Sequence, residues 1–224
     1  MLRVTLSGPG IEPRSVVTNI AEPTVVFRLK SDDLVVGSYD VVAEVIRDTG
    51  DVVGEGRTTV RKLARAPKVE VRVDEARRLI VDGEPVFVRG WYGGFSGSMN
   101  DITYWQLPRT HNFAMAGPGG RRDFWHLVSV NQRYDESKAQ ANAPLDEAVT
   151  NLLRQCVREA EGSPQCIGYY LADEPWFRGL HPDYLRRMYT LLKEFDPYRM
   201  VMIVDLNPTD YGKACDVMVP HSYM

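Results

Sequence analysis

The chain has 224 residues, is 44% hydrophobic and 25% charged, and carries a net charge of -3. That length allows one large domain or two modest ones. No basic stripe or run of like charge marks a nucleic-acid binder, and no apolar stretch reaches the length of a membrane span, so neither nucleic acid nor membrane is an expected partner.

Residues 1–66 read as all-β. Expected strands at 4–6, 15–19, 24–30, 37–47 and 57–62 are separated by turn chemistry: Gly8-Pro-Gly10, Glu22-Pro23, Ser31-Asp-Asp33 and Asp48-Thr-Gly50. Residues 37–45 alternate apolar and polar side chains, as in a strand with one wet face. Asp48-Thr-Gly-Asp51 is a strong hairpin signal. Short strands at this spacing predict an immunoglobulin-like β-sandwich. Met1-Leu-Arg-Val-Thr-Leu6 has neither the apolar core nor the small-residue cleavage site of a signal peptide, and is expected to be the first strand. Localisation is left open. Leu63-Ala-Arg-Ala-Pro67 reads as a linker, so the expected domains are 1–66 and 67–224.

From Lys68 onward the pattern changes. Residues 69–73 and 78–81 flank a turn and read as a hairpin, and Asp82-Gly-Glu-Pro85 makes another turn. An apolar strand over 86–92 ends at Gly93-Gly94. Further strands are expected at 112–116, 127–131, 167–172, 200–205 and 216–221, with helices at 98–109, 145–161 and 182–195. Asp146 and Glu147 suit the first turn of the second helix, whose apolar stripe reads as Ala148, Leu152, Val157 and Ala160. The third helix starts at a proline, presents Leu185, Met188, Tyr189 and Leu192, and stops at Asp196-Pro197. Such alternation predicts a parallel sheet with covering helices. The three cysteines, Cys156, Cys166 and Cys215, have no metal-type spacing and read as buried free thiols.

The most informative segment is Ile167-Gly-Tyr-Tyr-Leu-Ala-Asp-Glu-Pro-Trp176. Its apolar run is a strand buried on both faces, and Pro175 ends it because proline cannot donate to a ladder. Two carboxylates, Asp173 and Glu174, therefore sit at the carboxyl end of a buried parallel strand, the end that carries chemistry in α/β barrels. Taken alone, an Asp-Glu-Pro reads first as Asp173 capping a helix and Glu174 lying in solvent; the surrounding segments weigh against that reading.

Three other segments join this one. Arg78-Leu-Ile-Val-Asp-Gly-Glu-Pro-Val-Phe-Val-Arg-Gly-Trp-Tyr92 resembles the entry hairpin and first barrel strand of retaining TIM-barrel glycoside hydrolases, the clan of β-galactosidases, β-glucuronidases and many cellulases. Residues 167–176 resemble their fourth strand. Phe195-Asp-Pro-Tyr-Arg-Met-Val-Met-Ile-Val resembles the approach to their fifth, and Asp216-Val-Met-Val-Pro-His-Ser-Tyr their sixth. In multidomain members a β-sandwich often precedes the hairpin. The implied fold is multidomain β plus α/β: a sandwich followed by an incomplete (β/α)8 barrel. The link between residues 116 and 124 is too short for a crossover helix, which needs a dozen or more residues.

By this resemblance Glu174 falls on the general acid/base. Asp173 stands where the clan usually has an Asn that contacts the sugar 2-hydroxyl. Glycoside cleavage needs a proton for the departing oxygen and a second carboxylate about 5–5.5 Å away as nucleophile. The resemblance puts that nucleophile at the end of a seventh strand, which this sequence is expected not to contain, and Asp205 is a poor substitute. Trp91 and Tyr92 close the first strand, where an aromatic face either stacks on a sugar or packs in the core. Asn131 is either a sugar hydrogen-bonder or a turn residue. Trp176 is either a subsite platform or a loop-packing residue. His221 and Tyr223 end the sixth strand and are candidates for lining the cleft. Arg89 either faces an acid or covers the outer surface. His111, His126 and His181 lack ligand spacing.

The expected function is hydrolysis of a β-linked carbohydrate, with the carbohydrate as partner and no cofactor. The alternative is a non-catalytic carbohydrate-binding or structural module. A nucleotide-binding Rossmann reading is weaker, because Gly90-Trp-Tyr-Gly-Gly94 lacks the required spacing. No metal cluster, phosphate loop or nucleophile elbow is present in the sequence. Sugar identity, linkage and oligomeric state are not encoded in these motifs.

Overall fold

A computed structural model describes residues 1–66, 68–87, 90–91, 113–114 and 125–220, with the backbone alone described at 90–91 and 113–114. The chain forms two compact units, Met1–Ala66 and Pro67–Met224. The expected helix at 98–109 and the short link at 117–123 lie outside the described residues.

In the first unit β1 (Leu2–Gly8), β2 (Ile11–Thr18), β3 (Gly37–Ile46) and β4 (Val52–Lys62) form one antiparallel sheet in the order β2-β1-β3-β4. The β3–β4 hairpin closes where the turn chemistry placed it. Arg47 N–H donates to Asp51 O at 2.9 Å, and Gly50 takes a φ of +92° that a side chain would disfavour. Val4, Leu6, Tyr39 and Ile46 are buried. The Tyr39 hydroxyl lies 2.8 Å from Val35 O, which satisfies the one polar atom of a fully buried ring.

Two expectations for this unit need correction. Residues 24–30 form no strand. Val25, Phe27 and Leu29 are half-buried while Val26, Arg28 and Lys30 are exposed, so the alternation persists without a ladder partner. The segment follows Pro23, which removes one donor at its entry. These residues therefore supply one sheet, not the two packed sheets of a sandwich. Val16, Val17, Val52, Val53 and Val60 are left exposed on its outer strands.

The second unit opens with an antiparallel meander of β5 (Val71–Val73), β6 (Leu79–Val81) and β7 (Glu84–Val86). Among the described residues six parallel strands follow: β8 (Gly90–Trp91), β9 (Phe113–Ala114), β10 (Trp125–Ser129), β11 (Cys166–Asp173), β12 (Met200–Val204) and β13 (Val217–Val219). They lie side by side in chain order, without reversal. Helix α1 (Glu147–Glu161) links β10 to β11, α2 (Pro182–Phe195) links β11 to β12, and the short α3 (Pro208–Tyr211) leads toward β13.

Every residue of β11 from Cys166 to Ala172 is buried, as is all of β12. On one sheet face Tyr169, Leu171, Val201 and Ile203 pack with helix residues Val149, Leu153, Leu185 and Met188. On the other, Leu127, Ile167, Tyr170, Met200 and Met202 meet Val71 and Val81 of the meander. Among the described residues both long helices thus cover one face. A doubly wound nucleotide-binding sheet reverses its strand order and carries helices on both faces, so the Rossmann reading fails for the described strands.

The caps follow the sequence. Asp146 is the N-cap of α1, its carboxylate accepting from Val149 N–H at 2.9 Å. Pro182 opens α2, behind His181 whose Nδ1 accepts from Asp183 N–H at 3.2 Å. The buried stripe of α1 is Val149, Leu153, Cys156, Val157 and Ala160, one residue out of phase with the expectation at its start, and Ala148 is exposed. In α2 the buried residues are Tyr184, Leu185, Met188 and Leu192, while Tyr189 is half-buried and donates to Asp216 Oδ1 at 2.8 Å. The thiols are free, with Cys156 and Cys166 buried and Cys215 half-buried.

At the amino end of β12 a charged pair is buried deeply. Arg199, 2% exposed, donates to Asp196 Oδ2 at 2.7 Å, to Cys166 O at 3.0 Å and to Ala160 O at 3.3 Å. Tyr169 adds a 2.5 Å bond to the same carboxylate, and Asp196 Oδ1 accepts from Tyr198 N–H at 3.1 Å. The charges are compensated by each other and by backbone groups, which burial at this depth requires.

Candidate active site

The candidate residues gather where β10, β11 and β12 end. Asp173 is the last residue of β11 and pairs with Val204 in the ladder. Its N–H donates sideways to Asn131 Oδ1 at 3.2 Å. Glu174 continues the ladder for one more bond, its N–H donating to Val204 O at 2.8 Å. There the chain turns. Glu174 has a φ of +45°, a left-handed conformation that costs a side-chain-bearing residue about 1–3 kcal/mol and persists where the surroundings over-determine it.

The surroundings do so. Glu174 O accepts from Arg178 N–H at 3.0 Å, Pro175 O from Leu180 N–H at 2.9 Å, and Trp176 O from Gly179 N–H at 3.2 Å. Gly179 supplies the φ of +70° that closes the turn. Trp176 N–H donates to Asp205 Oδ2 at 2.9 Å. Glu174 and Asp173 are both half-buried, while Trp176 and Phe177 at the tip of the turn are 65% and 80% exposed.

Arg178 stitches this turn to the neighbouring strand end. Its Nη1 donates to Asn131 Oδ1 at 2.9 Å and lies 3.4 Å from Asp173 O, and its Nη2 pairs with Glu136. Asn131 Oδ1 therefore accepts two hydrogen bonds from within the protein. The nearby Tyr134 ring packs against Tyr184 at 6.5 Å, and burial pushes its hydroxyl above the usual tyrosine range. Tyr211 of α3 donates to Leu180 O at 2.8 Å and is pushed up to about 12, first by burial and then by the charges of Asp205 and Asp210.

The structure thus brings Asn131, Asp173, Glu174 and Trp176 to one end of adjacent strands. Trp91 belongs to β8, paired with Ala114 of β9, and two strands, β9 and β10, separate it from β11 in sheet order. Tyr92, Arg89, His111, His221 and Tyr223 lie outside the described residues. His181 serves as a helix cap and His126 begins the β10 ladder beside Cys166. Asp205 is buried, and each of its oxygens accepts a backbone N–H.

Sequence reasoning passed over Arg178, Glu136 and Phe177. Arg178 had a readable signal, a cation four residues past Glu174 and directly before a glycine. Among the described residues no group of three or more His, Cys, Asp or Glu is arranged to hold a metal ion, and no helix is long and apolar enough to cross a membrane.

No protein-family model matches the sequence, and a search of curated proteins gives no match. Among solved structures the chain is similar to a glycosyl hydrolase family 2 member from Bacteroides cellulosilyticus, with 12% identity, a TM-score of 0.49 and 98% of this chain covered. It is also similar to β-glucuronidase 3 of Bacteroides uniformis, with 15% identity, a TM-score of 0.45 and 99% covered. A Parabacteroides merdae β-glucuronidase follows at 12% identity, a TM-score of 0.46 and 99% covered. The chain spans 34%, 31% and 32% of those three chains, about a third of each.

Proposed function

We propose that this chain carries the proton-donating part of a β-glycosidase site, with Glu174 as general acid/base and the 67–224 unit as an incomplete (β/α)8 barrel. In this reading residues 1–66 are the β-domain that precedes it. The observation that carries the reading is the backbone of Glu174. A carboxylate sits at the carboxyl end of a fully buried strand, in a left-handed conformation anchored by hydrogen bonds on both sides. Strain of this kind concentrates where a side chain must be aimed. Parallel strands in chain order with both long helices on one face support a barrel-type sheet.

Glu174 would protonate the glycosidic oxygen as the bond to the anomeric carbon breaks, then take a proton from the water that releases the sugar. A second carboxylate, on a segment other than β10 to β12, would form and release the glycosyl intermediate. Asp173 would accept from a sugar hydroxyl, and Trp176 would offer an exposed ring face on which a sugar stacks.

The test is release of nitrophenol from a panel of aryl β-glycosides by the protein that also holds the segment with the second carboxylate, as wild type and as Glu174→Gln. The expected result is turnover of at least one glycoside and a loss of about 10²–10⁴-fold in the variant. Equal rates in the two proteins overturn the assignment of Glu174. Binding of the sugar without turnover by either protein supports instead a carbohydrate-binding module, which the exposed Trp176 and Phe177 would also serve.

A further inference from the structure

The connection that follows β12 grips the Glu174 turn at both ends. At the near end Asp205, one residue past β12 and 4% exposed, accepts from Trp176 N–H at 2.9 Å through Oδ2 and from Asn207 N–H at 2.7 Å through Oδ1. Asp205 is itself fixed, since its N–H donates to Val219 O at 3.1 Å. At the far end Tyr211 donates to Leu180 O at 2.8 Å. Between the two grips lie Trp176, Phe177, Arg178 and Gly179. Asn207 caps the short helix that carries Tyr211, its side chain accepting from Asp210 N–H at 3.3 Å, so Asp205 also orders the start of the segment holding the second grip.

A buried carboxylate at a strand end has a poor reason to be kept for packing alone, because desolvating it is costly unless its lone pairs are used. Here they are used on two backbone amides, and one of these follows the left-handed Glu174 by two residues. Hydrogen bonds to an ionised acceptor are about twice as strong as neutral ones. The anchor therefore acts two residues from the left-handed Glu174.

We infer that Asp205 is a positioning residue for the Glu174 site: it clamps the turn from β12, so that the Glu174 carboxyl and the Trp176 indole are held at the rim of the sheet. This rests on the proposed acid/base role of Glu174. Asp205 does not touch the reacting atoms; its effect on them passes through the backbone of residues 174–176. Asp205→Ala frees Trp176 N–H, the turn relaxes, and Glu174 loses its aim.

The experiment compares wild type, Asp205→Ala, Asp205→Asn and Glu174→Gln, each in the protein that also holds the segment with the second carboxylate, in three measurements: glycoside turnover with kcat and KM separated, amide hydrogen exchange at Trp176 and Asn207, and thermal unfolding. For Asp205→Ala the expected results are a kcat at least tenfold lower, faster exchange at both amides and a retained cooperative transition. Asp205→Asn keeps one acceptor oxygen, so it should recover part of kcat and slow exchange at one of the two amides; it also serves as the readable variant should the alanine protein fail to fold. The inference is overturned if exchange at Trp176 is unchanged, or if kcat is unchanged while Glu174→Gln abolishes turnover. If Glu174→Gln itself has no effect, the acid/base reading falls by that result alone. Exchange at Trp176 then decides the clamp: faster exchange in Asp205→Ala upholds it, and unchanged exchange removes it.

Discussion

Single residues carry the sharpest information in this chain. Gly168 sits mid-strand in β11, and a Cβ built there would lie 2.2 Å from Met200 O and 2.7 Å from Met200 Cγ. The first obstacle is backbone of the paired strand, which cannot rotate away. Gly168→Ala is therefore expected to cost about 3 kcal/mol by forcing β11 and β12 apart, readable as a fall in the denaturant midpoint. Asp196 is the counter-ion of a buried arginine. Asp196→Ala leaves Arg199 charged and uncompensated and is expected to cost about 3–5 kcal/mol, whereas exposed pairs such as Arg57 with Glu55 should barely matter. The Glu174 carboxylate was legible from sequence because an apolar run ended at Asp-Glu-Pro. The role of Asp205 was not, since a hydrogen bond from residue 176 to residue 205 has no local signature. The same holds for Asn131: its place at a strand end could be read, but the commitment of its oxygen to Asp173 and Arg178 could not.

At the level of elements, the strands from β10 onward and helices α1 and α2 followed from periodicity and caps. The phase of α1 did not. Ala148-Val149, Leu152-Leu153 and Cys156-Val157 are adjacent apolar pairs, so the sequence offers two stripes about 100° apart, and contact with the sheet selects between them. Asp146→Ala removes the N-cap and is expected to cost about 1 kcal/mol, seen as a small drop in melting temperature with the fold intact. Thiol chemistry reports on the same helix and on the β13 approach. Burial pushes Cys156 from 9.0 up to about 11, and burial with the nearby Asp216 does the same for Cys215. A pKa raised on folding contributes stability fully present below the unfolded value and lost as pH rises through the folded one, so these thiols should weaken the fold between pH 9 and about 11. At pH 8 their alkylation should run about 100-fold slower in the native protein than after denaturation, since the thiolate is the reacting form. Equal labelling rates before and after denaturation would contradict their burial.

Across the whole molecule, the division into an all-β part and a parallel α/β part was visible as a change of period near residue 67. The expected second sheet of a sandwich was not found, because alternation in residues 24–30 marks an extended segment and does not by itself provide a ladder partner. Strand order in the parallel sheet was not in the sequence either. It came from the pairing of β8 through β13 in sequence, and it excludes a doubly wound order for the described strands. Proton donation by Glu174, as proposed, joins these scales: parallel strands that end together, a turn that leaves β11 through a left-handed residue, and one glutamate on that turn. Its most direct test is the dependence of kcat/KM on leaving-group pKa for a series of aryl β-glycosides. Proton donation makes the loss in Glu174→Gln grow steadily as the leaving group becomes more basic and needs the proton more. A loss that is equal across the series, or no loss at all, would contradict proton donation by Glu174.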